Sequence, residues 1–456
     1  MMQSLSTITA LCSNVVAQAG SKAAEKTTPL ITDDAVILGI LLVILAVIFK
    51  TASIQQGFWK KFYTICPSLL LCYFIPSLLG TFDIVATKSD GSKLYDPVAK
   101  NYLLPTSLVL LTLSIDLKGI LGLGPKALIL FLTGTVGIVL GGPLAILIVA
   151  SFSPDLVGGE GAEAVWKGMA TCAGSWIGGG ANQVAMKETF NVGDSIYSSM
   201  IAVDVIVANV WMAGLLLIAR KSKRLDQHIG ADTSAVDSLR DKISAYQAEI
   251  LRIPKTVDTL MVLAAGFAVT AMAHFLSGVI VEWFDGIHRG IVGGENTGEQ
   301  SWVSRMSLNG KFFWLVVLAT TGGLLLSFTR LRKLEGVGAS RIATIFLYLL
   351  VVTVGLNMNI KAVYENPGYF LIGGIWMAFH VILLVAVTWL IKAPVFFMAV
   401  GSKANIGGAV SAPIVAAAFH PSLAPVGALL AVLGYALGTY AAWLCGLMMQ
   451  AVAPAG

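Results

Sequence analysis

The chain has 456 residues, of which 56% are hydrophobic and 12% are charged, with a formal net charge of +5, and its mean hydropathy is +0.82. Soluble domains carry roughly 25% charged residues, so this composition excludes an ordinary soluble protein. The excess of Lys and Arg lies mostly in loops, which fits membrane topology rather than nucleic-acid binding.

Apolar segments long enough to cross a hydrocarbon core of ~30 Å recur along the chain in two groups. The first group lies near 35–51, 65–82, 103–121, 125–152, 165–190 and 194–219, and the second near 256–284, 311–330, 339–361, 368–393, 395–419 and 424–450. The sequence predicts an all-α, multi-pass protein of the lipid bilayer with about 11–13 spans.

The pattern divides the chain into four regions. Residues 1–34 are a polar N-terminal extension that lacks the basic start and apolar core of a signal peptide. Two transmembrane repeats are predicted over 35–219 and 256–450. The connecting segment 220–255 has apolar residues at helical spacing, which predicts an amphipathic surface helix.

The two groups share landmarks in the same order. I-D-L-K at 115–118, around Asp116, corresponds to M-N-I-K at 358–361, and I-G-G at 177–179 corresponds to I-G-G at 406–408. Such a match predicts an internal structural repeat.

Charge predicts the orientation of each repeat, because Lys and Arg concentrate in cytoplasmic loops. Basic residues place 51–64, 118–126 and 331–340 in the cytoplasm, which makes the repeats inverted. The basic cluster 220–224 also favours the cytoplasm. If every apolar segment is a span, however, an even number separates the two Gly-Gly motifs and the repeats are parallel. Either one span is miscounted or one segment is re-entrant.

Two stretches interrupt the apolar pattern with glycine pairs, small residues and amides. They are CAGSWIGGGANQVAMKE at 172–188 and GSKANIGGAVSAPIVAAAF at 401–419, where Pro413 is an additional predicted helix breaker. Broken helices at corresponding places in two repeats indicate a transporter's binding site, because their termini and freed backbone groups bind ions and anions. Close packing of small residues between helices is the alternative.

The candidate substrate- or ion-binding residues lie at these breaks and on the span after the first one. They are Thr171, Ser175, Gly178, Gly179, Asn182, Gln183, Asp204, Ser402, Lys403, Asn405, Gly407, Gly408 and Ser411. A mid-span carboxylate is costly unless paired, so Asp204 is a candidate proton or Na⁺ site, with a structural hydrogen-bonding role as the alternative. A Na⁺ ion is predicted near Asn182, Gln183, Asn405 and Asp204. Lys403 pairs with an acid, faces an anionic substrate, or lies near a helix end.

The motif pair resembles known membrane families. GSWIGGGANQ and GSKANIGGAVSAP are similar to the bacterial and plastid family known as domain of unknown function 819, over residues from about 35 to 450. More broadly, the features resemble the cation–proton antiporter and anion transporter superfamily. That resemblance implies two broken transmembrane helices that cross at mid-membrane in a core domain, a second domain for scaffolding or dimerisation, and hence a homodimer.

The sequence departs from the antiporters of that superfamily in its charges. Where they carry an acidic or Asn–Asp pair, it has Asn182 and Gln183, with Asp204 on the following span, and the last span, 424–450, has no charge. Breaks rich in amides are more like those of Na⁺-coupled symporters of organic anions.

We therefore expect a secondary transporter of the bacterial inner membrane, not an enzyme, that uses Na⁺ or H⁺ to move a small anionic organic solute by alternating access. The alternatives are a monovalent cation/proton antiporter, in which Asp204 titrates, and an intramembrane hydrolase, with Ser175 as nucleophile and His274 or His380 as base. A passive channel suits paired breaks less well. No GxxxxGK[ST] loop is present for an ATP-driven pump, and the five cysteines indicate no zinc site. No cofactor is expected.

Overall fold

The structure is a computed structural model, and it describes residues 29–54, 56–66, 68–115, 117–234, 236, 253–292, 302–306, 308–358, 366–420 and 423–454. Within these residues all regular structure is helical, apart from an isolated β-bridge between Ile31 and Val85. The predicted all-α class is therefore confirmed. Asp116 and Asn359, at the centre of the first repeat landmark, and residues 235 and 237–252 of the connecting segment lie outside the described residues.

The helices of the first predicted repeat precede a basic connecting segment. They are α1 (Asp34–Ala52), α2 (Gly57–Ile65), α3 (Ser68–Thr81), α4 (Leu104–Leu113), α5 (Leu117–Gly122), α6 (Pro125–Ala150), α7 (Val165–Thr189) and α8 (Asp194–Arg220). A π-helical segment, Leu94–Leu103, leads directly into α4.

The remaining helices comprise one short helix of the connecting segment and those of the second predicted repeat. They are α9 (Ser222–Ile229), α10 (Thr256–Val292), α11 (Trp302–Arg305), α12 (Lys311–Ser327), α13 (Ala339–Leu356), α14 (Tyr369–Leu390), α15 (Val395–Asn405), α16 (Gly408–Phe419) and α17 (Ala424–Val452). A 3₁₀ segment, Arg330–Val337, follows α12.

Within the described residues, seven helices are long and apolar enough to cross a membrane, namely α1, α6, α8, α10, α13, α14 and α17. Helix α12 and the 3₁₀ segment bent 96° away from it make an eighth if they form one span. Large apolar side chains cover the outside, as where Phe275 of α10 is 71% exposed. The chain is therefore a multi-pass integral membrane protein.

The first broken segment, α7, folds back on itself at Gly179. This residue has φ 74° and ψ −173°, a conformation that favours glycine. A Cβ atom at Gly174 would lie 2.5 Å from the carbonyl oxygen of Asn182, whereas residues eight apart on a straight helix are separated by about 12 Å. We call α7 hairpin 1, with a first arm at 165–178 and a second arm at 180–189.

The two ends of hairpin 1 lie together. The Gly193 N–H, just after the second arm, donates to the carbonyl oxygen of Ala162, just before the first arm, at 2.8 Å. The ring centroids of Trp166 and Phe190 are 5.5 Å apart. The chain therefore enters and leaves this hairpin on the same side.

Helices α15 and α16 form a second hairpin, which we call hairpin 2. The turn contains Gly407 at φ 105° and Gly408 at φ 62°, both in the left-handed region. The ring of Phe396, at the start of α15, lies 5.3 Å from the ring of Phe419, at the end of α16. Pro413 lies inside the continuous helix α16, so its prediction as a further breaker is wrong.

The prediction of two broken transmembrane helices that cross each other at mid-membrane is therefore correct in the breaks and wrong in the crossing. Left-handed glycines at each break reverse the chain instead of bending it. The arms are also short. Helices α15 and α16 have 11 and 12 residues, and they rise only about 16–18 Å, less than the ~30 Å hydrocarbon core. These two reversals are one reason why the count of spans falls below the predicted 11–13.

Candidate functional site

Both hairpins pack their tips against the middle of α17. A Cβ atom at Gly434 would lie 2.7 Å from the carbonyl oxygen of Ile177 in hairpin 1 and 3.3 Å from that of Ala404 in hairpin 2. Only a glycine allows the backbones of all three elements to approach this closely.

Tyr435, the next residue of α17, lies between the two breaks. Its ring carbon Cε1 would be 3.3 Å from a Cβ atom at Gly179, and its hydroxyl oxygen would be 3.3 Å from a Cβ atom at Gly408. Tyr435 is 5% exposed. The two glycine breaks, which are far apart in sequence, therefore meet at one tyrosine inside the protein.

Asn182 fastens hairpin 1 to α17. Its Nδ2 donates to the carbonyl oxygens of Gly178, at 3.1 Å, and Tyr435, at 3.0 Å. Its Oδ1 accepts a hydrogen bond from the hydroxyl of Thr439 at 2.7 Å. Both donor hydrogens of this fully buried amide are therefore bonded within the protein.

Asn405 fastens hairpin 2 to α6 with the same set of bonds. Its Nδ2 donates to the carbonyl oxygens of Gly401 and Phe131, each at 3.0 Å, and its Oδ1 accepts from the hydroxyl of Thr135 at 2.8 Å. In both cases the donors go to the residue four positions earlier and to a neighbouring helix. A Na⁺ ion at Asn182 or Asn405 would have to use the second lone pair of the amide oxygen.

Asp204 of α8 joins the two arms of hairpin 1. Its Oδ2 accepts from the hydroxyl of Ser175 on the first arm, at 2.7 Å, and from the amide of Gln183 on the second arm, at 3.0 Å. Its Oδ1 accepts from the indole N–H of Trp176 at 2.7 Å. The side chain is 5% exposed, and these bonds offset part of the cost of burying a carboxylate.

Lys403 is a buried ammonium at the end of α15. The residue is 2% exposed, and its Nζ donates to the carbonyl oxygen of Ala208 at 3.2 Å. Asp204, one turn earlier on α8, acts on Lys403 electrostatically, but in the part of the chain that the structure describes the two do not approach within the 4 Å of an ion pair. An ammonium has three donors, so this bond leaves two of them without a protein acceptor among the described residues.

Ser411 lies on the other side of the turn of hairpin 2. Its hydroxyl oxygen is buried and has no hydrogen-bond partner among the described residues. A Cβ atom at Gly407 would overlap this oxygen and would lie 3.4 Å from the Nζ of Lys403. The ammonium and the hydroxyl therefore face the same turn.

Ser402 belongs to a fully bonded polar chain. Its Oγ accepts from the indole N–H of Trp211 at 2.8 Å and lies 2.9 Å from Nε2 of His380, whose Nδ1 lies 3.0 Å from the carbonyl oxygen of Gly134. A carbonyl oxygen only accepts, so Nδ1 carries the proton and Nε2 accepts from the Ser402 hydroxyl. This chain ties hairpin 2 to three helices.

The serine–histidine pair of the hydrolase alternative does not form. Ser175 donates to Asp204, and the Nε2 of His274 bonds to the carbonyl oxygen of Asn101 at 2.7 Å. The described contacts of Ser175 therefore lead to a carboxylate and not to either predicted base.

Two further predicted residues have structural contacts. The hydroxyl of Thr171 donates to the carbonyl oxygen of Gly168 at 2.7 Å, within its own helix and away from the tip. A Cβ atom at Gly178 would collide with the amide of Asn182 and lie 2.8 Å from the carbonyl oxygen of Gly434. Gly178 is therefore a packing residue of the tip.

Sequence reasoning missed the helices that receive the two tips. Thr135, Tyr435 and Thr439 carry no motif of their own in the sequence. The available signal was the pair Gly434 and Gly438, because small residues four apart indicate a close helix approach. A Cβ atom at Gly438 would lie 2.6 Å from the Cα of Gly178.

Several apolar helices and two hairpins that meet in a buried polar cluster define the class, a multi-pass integral membrane protein. Residues 39–452 match the family described as protein of unknown function (DUF819), and the chain belongs to that family. The chain is also similar to the uncharacterized membrane protein YjcL of Bacillus subtilis (strain 168), with 23% identity over 368 residues, which is 78% of this chain and 83% of that protein.

Proposed function

We propose that this protein is a secondary active transporter of the bacterial inner membrane, and not an enzyme. It moves a small anionic organic solute, coupled to Na⁺ or H⁺, by alternating access. The observation that carries the proposal is the contact of both hairpin tips with Tyr435. Re-entrant backbone at membrane depth is tolerated where it faces protein or lines a cavity, and a polar site between two such tips is open to either face when one hairpin moves.

The number of helices between the hairpins supports this arrangement. Among the helices that the structure describes between them, five pass the length and hydropathy test if α12 is joined to its bent 3₁₀ extension, namely α8, α10, α12, α13 and α14, and the short helices α9 and α11 do not. An odd number of crossings puts the open ends of the hairpins on opposite faces. We propose two inverted repeats, each with five spans and one hairpin, where α3 and the π-helical segment with α4 are counted as spans of the first repeat beside α1, α6 and α8.

This topology also removes the conflict between the basic residues, which indicate inverted repeats, and the count of apolar segments, which indicates parallel ones. When neither hairpin is counted as a span, five basic clusters fall on one face, as the positive-inside rule favours, whereas Lys88, Lys93 and Lys100 fall on the other. These clusters are 50–61, 118–126, 220–224, 330–341 and Lys392. The acidic loop 151–164 falls on the other face.

Contacts between helix ends and connecting segments support the same assignment of these basic clusters to one face. The ammonium of Lys126, at the start of α6, donates to the carbonyl oxygen of Lys392 at 2.9 Å. The N–H of Val395, at the start of hairpin 2, donates to Asp226 of α9 at 2.8 Å. The segment after α8, the start of α6 and the open end of hairpin 2 therefore lie together.

Asp204 is the proposed coupling residue, because its carboxylate holds both arms of hairpin 1. A proton or Na⁺ on this carboxylate would compete with the hydroxyl of Ser175 and the amide of Gln183 for its lone pairs. Ion binding would thereby change how the two arms are held. On its motifs we place the protein near the cation–proton antiporter and anion transporter superfamily, with hairpins in place of crossing helices, and a homodimer stays a prediction.

Ion-dependent thermal stability of the purified full-length protein tests this function. A ligand that binds only the folded state raises stability by RT ln(1 + [L]/Kd). We expect Na⁺, but not K⁺, to stabilise the wild type, and Asp204→Asn to abolish the effect. Without a Na⁺ effect, a stability change with pH that disappears in Asp204→Asn indicates coupling to H⁺.

Asp226→Asn is the matched control. Asp226 is partly buried, and burial raises the pKa of its carboxyl group while the Val395 N–H lowers it, but it lies outside the spans and accepts from a backbone N–H. The ion response should persist in this variant. A wild type whose stability is indifferent to Na⁺, Li⁺, K⁺ and pH contradicts ion coupling.

A monovalent cation/proton antiporter is the second candidate. The observation that favours it is the place of the buried Lys403 ammonium, which bonds to the carbonyl oxygen of Ala208, one turn from Asp204 on α8. A carboxylate that exchanges H⁺ for Na⁺ beside such a cation needs no organic solute. Exchange of Na⁺ for H⁺ in vesicles without added solute would favour this alternative.

A further inference from the structure

The turn of hairpin 2 contains donors that have no acceptor among the residues that the structure describes. Lys403 uses one of its three N–H groups on Ala208, and the buried hydroxyl of Ser411 has no partner among the described residues. Buried donors without acceptors cost free energy comparable to a lost hydrogen bond. Together they indicate a missing acceptor at this turn.

The helix that follows the turn adds a third source of positive potential. Helix α16 has 12 residues, begins at Gly408 and has no side-chain cap at its N-terminus. Its first N–H groups and its dipole therefore favour a negative charge at the turn. The N-terminus supports the inference only together with Lys403 and Ser411.

The turn is also the accessible point of this cluster. Gly407 is exposed, whereas its neighbours Ile406 and Gly408 are buried. A Cβ atom at Gly408 would meet nothing closer than the hydroxyl of Tyr435 at 3.3 Å. A small ligand can therefore approach the turn beside Tyr435, which both hairpin tips contact.

We propose that the turn of hairpin 2 binds the carboxylate of a small monocarboxylate. The ammonium of Lys403 and the hydroxyl of Ser411 donate to its oxygens, and the first turn of α16 stabilises its charge. This inference rests on the proposed function, because it names the class of solute that the transporter carries.

Charge selects a monocarboxylate over a dicarboxylate. Lys403 supplies the positive charge at the turn, and its ammonium bonds to the carbonyl oxygen of Ala208, one turn from Asp204 on α8. A second negative charge on the solute would have no cation of its own and would be repelled by Asp204. Chloride also accepts hydrogen bonds from an ammonium and a hydroxyl, so a comparison of acetate with chloride is part of the test.

Thermal unfolding of the full-length protein in sodium acetate, against sodium chloride and sodium succinate at equal Na⁺, tests the inference. At ten times Kd, acetate should raise the folded-to-unfolded ratio of the wild type about 11-fold. Lys403→Met should abolish this response, and Lys403→Arg should retain part of it. Ser411→Ala removes one hydrogen bond to a charged acceptor and should weaken acetate binding at least about tenfold.

Lys187→Met is the matched control. Lys187 is a buried lysine of hairpin 1 whose ammonium pairs with Asp194 at 2.6 Å, so its loss should leave the acetate response unchanged. A response that persists in Lys403→Met overturns the location. A chloride or succinate response equal to that of acetate overturns the monocarboxylate class.

The outcomes separate this inference from the proposed function. A wild type that responds to Na⁺ but not to acetate overturns the carboxylate site and leaves the transporter proposal standing. An acetate response that depends on Lys403, in a protein with no response to Na⁺ or pH, supports the site and contradicts the coupled transporter.

Discussion

Asn182 and Asn405 hold the two breaks in place with the same hydrogen bonds, although the repeat does not pair them. The landmark alignment pairs Asn182 with Ser411 and Asn405 with Trp176. The two asparagines therefore make the same hydrogen bonds for a physical reason, and not because the repeat aligns them. A buried amide beside a helix break must satisfy two donors and an acceptor, and in each case a neighbouring helix supplies a carbonyl oxygen and, four residues later, a threonine.

Thr135→Val tests this hydrogen bonding at the residue scale. The substitution keeps the shape of the side chain and leaves the Oδ1 of Asn405 without its donor, which should lower the free energy of unfolding by about 1–3 kcal/mol. Thr133→Val is the control, because Thr133 is half-buried and its hydroxyl bonds within its own helix, to the carbonyl oxygen of Ile129. Equal effects of the two substitutions in thermal unfolding would contradict the role given to Thr135.

Among the elements, α17 determines whether the hairpins can meet. Two of its glycines lie four residues apart, Gly434 and Gly438, and each allows backbone contact with a tip. Short half-helices have too few internal hydrogen bonds to be stable alone. Their stability therefore depends on this packing and on the asparagine contacts.

Gly434→Ala tests the packing of α17. Its Cβ atom would lie 2.7 Å from a backbone oxygen of hairpin 1, and overpacking of this kind costs about 1–3 kcal/mol. Both hairpins should loosen, which limited proteolysis and thermal unfolding would detect. Gly39→Ala is the control, because nothing lies within 4 Å of a Cβ atom there, and it should be neutral or stabilise α1 by up to about 1 kcal/mol.

For the whole molecule, the central expectation is that the hairpins open to opposite faces. The acidic loop before hairpin 1 and the basic segment around α9, which contacts hairpin 2, then lie on different sides of the membrane. Such an arrangement allows one site to be reached from each side in turn.

Cysteine labelling in a cysteine-free background measures this topology. A membrane-impermeant maleimide added to intact cells should label Glu160→Cys and not Lys223→Cys, and the result should reverse in inside-out vesicles. Lys60→Cys is the control, and it should behave like Lys223→Cys. The basic residues of its loop place it in the cytoplasm without reference to the hairpins. Labelling of Glu160→Cys and Lys223→Cys from the same side would contradict opposed hairpins.

The sequence by itself determined the membrane class, the positions of the breaks and most residues of the polar cluster, because hydropathy and glycine content are local properties. Whether a break bends a helix or reverses it was decided by the fold, since a glycine such as Gly179 permits both. The fold also decided which residues of the buried polar cluster are in contact. Asn405 and Thr135 are 270 positions apart in sequence, and Asn182 and Thr439 are 257 apart, and only packing brings such residues into hydrogen-bonding distance.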